Sequence, residues 1–216
     1  MQTVIPGLCA SAPQALSFAP SLHVRAFLLQ REGGNLLVYG TAAVADEARA
    51  IGELGGAVRH YLNHWHEADI AGEGALGALR APLFCHEDER AEVARTHAVA
   101  GTFAARHMED DNFEAVPIPG HTPGATAYLW DSGQHRCLFT GDTVYLRDGE
   151  WVAAVLESSD RASYIESLGL IKELDFDMLV PWAATASQPC HAITDKADTR
   201  RRIDAILERL RRGDDH

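Results

Sequence analysis

Short apolar runs alternate with amphipathic stretches along the whole chain. "HVRAFLLQ" (His23–Gln30) and "NLLVYG" (Asn35–Gly40) predict two strands, and Gly33 and Gly34 supply the permissive backbone of a tight turn between them. "AVADEARAIGELGG" places Val44, Ala48, Ile51 and Leu54 on one helical face, with Gly55 and Gly56 as a stop. "AVRHYLN" (Ala57–Asn63) reads as a short buried strand and "APLFCH" (Ala81–His86) as another, followed by a charged helix over Glu87–His97.

The second half continues in the same way. "FEAVPIPG" is a strand that Pro117 and Pro119 place at a sheet edge or bring to an end. "ATAYLWD" and "HRCLFTGD" form a hairpin around Asp131–Gln134. "SDRASYIESLGLIKELD" predicts a helix capped by Ser159 or Asp160, with Ile165, Leu168, Ile171 and Leu174 at helical spacing. "FDMLVPW" reads as the last strand. "DKADTRRRIDAILERLRR" reads as the last helix, with Ile203, Ile206, Leu207 and Leu210 on one face. No internal repeat or low-complexity linker interrupts this order, which fits two sheets with helices outside them.

Composition narrows the setting. Length alone, 216 residues, suits one large domain or two small ones, and 46% apolar residues suffice for a substantial core. A net charge of −12 argues against a nucleic-acid partner. The one dense basic cluster, Arg200, Arg201, Arg202, Arg209, Arg211 and Arg212, is interleaved with Asp204 and Glu208 and reads as a solvated helix face. Cys9, Cys85, Cys137 and Cys190 are widely spread with no C-x-x-C pair, as expected of reduced thiols. The N-terminus lacks the basic and apolar regions of a signal peptide, and no apolar run reaches the ~20 residues of a membrane span. The expected setting is cytoplasmic, with no membrane partner.

The candidate chemistry begins at "YLNHWHEADIAG". In an extended segment the side chains of His64 and His66 would point to the same side, and the preceding apolar strand would hold their backbone. Taken alone, this stretch fits a polar loop equally well. Downstream, "PIPGHTPG" sets His121 in a turn bounded by glycine and proline, and "CLFTGDTVY" sets Asp142 just past an apolar strand. Each is a ligand-type residue next to a glycine at a strand end; each alone could be an ordinary turn residue. Their joint occurrence points to a metal. His23, His60, His86, His97, His107 and His135 share no ligand spacing and read as structural. Trp65 and Trp182 flank motif turns and are expected to pack there.

"NHWHEADIAG", "PGHTPG" and "FTGDT" resemble the metallo-β-lactamase superfamily, with its H-x-H-x-D-H-x-x-G stretch, P-G-H-T-x-G turn and T-G-D strand end. The resemblance covers Val24 to Trp182. It implies an α/β (α+β) fold, a four-layer αββα sandwich of two mixed β-sheets flanked by helices, as a single domain over 1–216. It also implies a metal site from His64, His66 and His121, with Asp142 able to bridge. Three imidazoles plus water make an open zinc site; iron and manganese are alternatives. The departures are specific: Ala68 stands at the family aspartate, Asp69 at the next histidine, Ala183 at the last histidine ligand, and Tyr39 in the D-x-G turn. One Zn2+ position is therefore expected to be well formed and the second doubtful. Asp69 could substitute as an oxygen ligand, and Cys190 or His191 could fold back to replace the last histidine. Asp69, or the adjacent Glu67, could accept a proton in place of the missing aspartate. The implied activity is a hydrolase using a metal-bound hydroxide on a small-molecule ester, thioester, lactone, amide or phosphodiester, with Asp69 and Asp142 as catalytic carboxylates. The alternative is a protein that kept the fold without turnover and acts as a binding or regulatory module. Homo-oligomerisation is left open.

Overall fold

Nine strands and four short helices build the first of two compact units, Met1–Ala104, in a computed structural model that describes residues 1–214. The strands are β1 (Gln2–Ile5), β2 (Leu8–Ala10), β3 (Gln14–Leu16), β4 (Ala19–Val24), β5 (Phe27–Leu29), β6 (Leu36–Val38), β7 (Arg59–Tyr61), β8 (Leu83–His86) and β9 (Val99–Phe103). The helices are α1 (Ala43–Asp46), α2 (Ala48–Glu53), α3 (His66–Ala71) and α4 (Arg90–Val93). A mixed seven-stranded sheet runs β1-β2-β5-β6-β7-β8-β9, antiparallel as far as β6 and parallel beyond it. β3 and β4 pair as an antiparallel hairpin outside that sheet. Leu28, Leu37, Leu62, Leu83 and Cys85 pack with Val44, Ile51, Ala68, Ala71 and Val93 in one apolar cluster.

Several expectations for this unit need correction. His23–Gln30 is not one strand: it breaks at Arg25–Ala26, where Ser11 and Ala26 exchange hydrogen bonds and the chain changes partner from β3 to β2. The helix over Val44–Leu54 is interrupted at Glu47, whose carboxylate accepts from the N-terminal ammonium at 3.0 Å and from Ala12 N at 3.2 Å. The expected helix over Glu87–His97 shrinks to a 3₁₀ turn, Glu87–Glu89, and the single turn of α4. The glycine turn between β5 and β6 forms as expected. Gly34 has φ +102°, and a Cβ there would lie 2.8 Å from Val58, so only glycine fits.

The second unit begins at Ala105. It contains β10 (His107–Asp110), β11 (Phe113–Pro117), β12 (Thr126–Asp131), β13 (Arg136–Phe139), β14 (Tyr145–Arg147), β15 (Glu150–Val152), β16 (Met178–Leu179), β17 (Ala183–Thr185) and β18 (Ala192–Ile193), with α5 (Arg161–Glu173) and α6 (Lys196–Arg212). A mixed six-stranded sheet runs β10-β11-β12-β13-β16-β18, and β15-β14-β17 form a separate ribbon. β11 lies inside the sheet, not at its edge, and stops at Pro117, which lacks an N–H to extend the ladder. "FDMLVPW" is not the last strand, because β17 and β18 follow it. α5 starts where expected, with the Asp160 carboxylate accepting from Ser163 N. α6 buries Ile203, Ile206, Leu207 and Leu210 against Leu168 and Ile171 of α5. Its basic cluster is only in part the solvated face expected: Arg200 pairs with Glu173 and Arg201 with Asp198 in the open, whereas Arg202 lies over the Trp151 ring and donates to Gly149 O, and Arg209 donates to Trp151 O.

Mixed sheets with helices give the α+β class expected. Cys9, Cys85, Cys137 and Cys190 are free thiols. Among the described residues no helix is long and apolar enough to cross a membrane.

Candidate metal centre

The stretch after β7 does not stay extended, so the same-side argument for His64 and His66 fails. The chain turns through Asn63–Trp65, and His66 opens α3. Two buried carboxylates impose the turn. Glu67 accepts from Gly40 N at 2.8 Å, Asn63 N at 3.0 Å and His64 N at 3.4 Å. Glu89 accepts from Trp65 N at 2.7 Å. Backbone donors that an extended strand would give to a neighbour are taken by side chains instead. Burial pushes the Glu67 carboxyl above its ordinary range, against the pull of His64 and of the backbone donors.

The turn still brings the two rings together, with centroids 5.1 Å apart and planes nearly perpendicular. His64 Nδ1 lies 3.0 Å from Asn63 Oδ1 and 3.2 Å from Glu67 Oε1. Two oxygen acceptors keep the proton on Nδ1 and leave the lone pair on Nε2, the form that ligates a metal. Trp65 packs on His66 with ring centroids 3.9 Å apart. Ala68 is fully buried in the apolar cluster. Asp69 is exposed on α3, where its charge acts on Arg95 and His97.

His121 sits in the turn after β11, bolted to the start of α5. Asp160 N donates to Gly120 O at 2.9 Å, Ser159 Oγ to His121 O at 3.1 Å, and Ser167 Oγ to Pro119 O at 2.7 Å. Gly120 has φ +140°, and a Cβ on it would lie 2.4 Å from Tyr164 Cα, so this close approach requires glycine. His121 Nδ1 donates to Ala154 O at 2.6 Å, which leaves Nε2 with the lone pair. That Nε2 is 3.8 Å from Asp142 Oδ2, too long for a hydrogen bond. Asp142 follows β13 in a turn closed by Thr140 Oγ1 donating to Val144 O at 2.8 Å. Ala183 and Trp182 are buried at the start of β17, and Cys190 is half-buried.

His64, His66 and His121 each offer a ring nitrogen, and these lie within 4.8 Å of one another. Among the described residues this is the one group of three or more histidine, cysteine or acidic side chains with such spacing, and it includes neither Asp142, Asp69, Cys190 nor His191. Three imidazoles, two with Nδ1 already committed to oxygen acceptors, fit a borderline cation such as zinc. The supporting residues Asn63, Glu89, Ala154 and Tyr164 carried no readable signal in the sequence, because each acts through contacts distant along the chain or through its backbone. Glu67 was visible as a carboxylate beside the histidines, but its commitment to three backbone N–H groups was not.

The profile of the metallo-beta-lactamase superfamily matches residues 42–183. The chain is similar in structure to a metallo-beta-lactamase from Pontibacter korlensis, with a TM-score of 0.74 at 14% identity, covering 97% of each chain. It is similar to the DIM-1 metallo-beta-lactamase, with a TM-score of 0.74 at 14% identity, covering 96% of this chain and 95% of that one. An N-acyl homoserine lactone hydrolase with product bound at its catalytic metal centre matches with a TM-score of 0.58 at 17% identity, over 77% of this chain and 86% of that one. None of the curated proteins matches the chain.

Proposed function

Because the chain belongs to the metallo-β-lactamase superfamily, we propose that it is a metal-dependent hydrolase whose ion is held by His64, His66 and His121. The observation that carries this reading is the set of three ring nitrogens within 4.8 Å of one another. One zinc ion is the proposed occupant, with iron or manganese as alternatives. When bound, zinc lowers the pKa of its water to about 7 and polarises a carbonyl or phosphoryl oxygen.

The chain's own residues do the rest. Asn63 and Glu67 hold the His64 proton on Nδ1 and so place the lone pair on Nε2, and Ala154 O does the same for His121. Asp142, close to His121 Nε2, is the proposed proton acceptor for the attacking water. Asp69 points to solvent beside Arg95 and His97, so Asp142 is the better candidate for that role. The proposed substrate is a small-molecule ester, thioester, lactone or amide, with a phosphodiester as the less favoured class. The lactone hydrolase among the structural neighbours supports the acyl side of that range.

Metal analysis of protein purified without added metal should find close to one equivalent, or recover it on reconstitution with zinc. Trace metal that reconstitution does not restore would end the reading. A second reading, a binding module without turnover, is favoured by Ala68, which is fully buried in the apolar cluster where a metal-ligating aspartate would need to reach an ion. A panel of esters, thioesters and lactones separates the two. Hydrolysis that disappears in His121→Ala rejects the module; no hydrolysis by zinc-loaded protein supports it.

A further inference from the structure

The fully buried hydroxyl of Tyr164, on α5, faces three backbone carbonyls at once. It lies 2.8 Å from Thr143 O, 3.2 Å from Asp142 O and 3.5 Å from Ala154 O. These carbonyls belong to the two segments that place the candidate ligands of this unit. Asp142 and Thr143 form the turn after β13. Ala154 O holds His121 Nδ1 at 2.6 Å, and Ala154 N donates back to Asp142 O at 3.2 Å. A phenol has one proton to give: Thr143 O takes it, Asp142 O is the weaker second acceptor, and Ala154 O at 3.5 Å lies beyond hydrogen-bond range and joins the junction through its own N–H on Asp142 O.

The carrier of that hydroxyl is itself fixed. Asp160 caps α5, Gly120 lies against the Tyr164 backbone, and Ser159, just before the helix, and Ser167, on it, hold the His121 turn. We propose that Tyr164 is the positioning residue of the metal centre. Its hydroxyl fixes the Asp142–Thr143 turn, and through the Ala154 N–H that donates to Asp142 O it fixes the Ala154 carbonyl on which the His121 ring is held. The proposal rests on the metal-site reading above and deepens it, since it assigns orientation of two candidate ligands to a residue that touches neither an ion nor substrate.

The test is Tyr164→Phe, which keeps the ring in the core and removes only the hydroxyl. Circular dichroism should show the wild-type fold. Loss of a partner that orients a ligand typically costs roughly 10–100-fold in metal affinity, so zinc affinity in a competition titration should fall by that factor. The Co(II) absorption spectrum of the variant should shift, and kcat on any substrate found should fall more than KM changes. Wild-type zinc affinity together with a superimposable Co(II) spectrum would overturn the proposal. If wild-type protein takes up no metal, the functional reading fails on its own, and Tyr164 is still tested in metal-free protein by the ¹H–¹⁵N correlations of the His121 side chain. Wild-type protein should show a single Nδ1-protonated tautomer and Tyr164→Phe a mixture; identical spectra would overturn the proposal. Should Tyr164→Phe fail to fold, wild-type protein carries the test: the Tyr164 hydroxyl proton should give a slowly exchanging ¹H signal with cross-peaks to the Asp142–Thr143 segment, and a freely exchanging hydroxyl would overturn the proposal.

Discussion

Glu67 is a carboxylate with every side chain atom buried, and its two oxygens serve three backbone donors and one imidazole. Removing one partner of a buried charged network costs more than the network's net worth, because the remaining polar groups stay dehydrated. Glu67→Ala should therefore lower stability by about 3–5 kcal/mol in urea denaturation, seen as a lower midpoint at unchanged slope. Glu67→Gln should cost less, since one amide oxygen still accepts. An exposed acid gives the contrast: Glu53→Ala removes a solvent-facing pair with Arg49 and should change stability by at most about 0.5 kcal/mol. Equal losses in Glu67→Ala and Glu53→Ala would show that the carboxylate is not holding the histidine turn. At this scale the sequence was readable only in part. His64, His66 and His121 stood out by residue type and order, and they do converge. Which ring nitrogen carries the proton was not readable, because Asn63 Oδ1 and Ala154 O decide it, and the second of these is a backbone atom 33 positions from His121.

Among elements, those with a sustained apolar period were legible and those without were not. α5 and α6 repeat their buried positions over 13 and 17 residues, long enough for the helical period to stand clear of local exceptions. The strands β1, β2 and β3 span only three or four residues each and carry no alternation to detect. The breaks at Arg25–Ala26 and at Glu47 arise from tertiary hydrogen bonds to Ser11, Met1 and Ala12, so no local pattern could mark them. α5 also gives the sharpest test of what a glycine does. Gly120 abuts this helix at φ +140° with no room for a Cβ, whereas Gly169 lies within the helix with nothing within 4 Å of the added carbon. Gly120→Ala should lower stability by about 3 kcal/mol or more through strain and overpacking. Gly169→Ala should raise it by roughly 0.5–1 kcal/mol through helix propensity. Thermal melts of the two variants should move in opposite directions, and a Gly120→Ala protein that melts like wild type would mean the His121 turn is not seated on α5.

For the whole molecule, the order of motifs along the chain was enough to anticipate the α+β class and the family, because the motif turns follow strands that the apolar runs already marked. The acidic charge of the chain says little about how stability responds to acid; a buried imidazole says more. His60 lies on β7 with its ring fully buried and Nε2 bonded to Tyr39 O at 2.8 Å. Burial outweighs that bond, with a smaller push from His97 in the same direction, and lowers its pKa to about 4. An unfolded histidine titrates near 6.5. Between these values the unfolded chain binds a proton that the folded chain refuses, so stability rises with pH across the window and is lost as pH falls from about 6.5 towards 4, by up to about 3 kcal/mol. His97 and His191 are lowered by burial as well and add to the same slope. Glu67 opposes it, because a carboxyl raised by burial holds its proton in the folded state above its ordinary range. Urea denaturation of metal-free protein at several pH values through this window should show the wild type losing stability as acid is added. His60→Gln keeps a donor for Tyr39 O but cannot titrate, so it should flatten that loss while costing some stability at neutral pH. If the variant and the wild type lose stability along the same slope, the buried imidazole is not the group that makes this fold sensitive to acid.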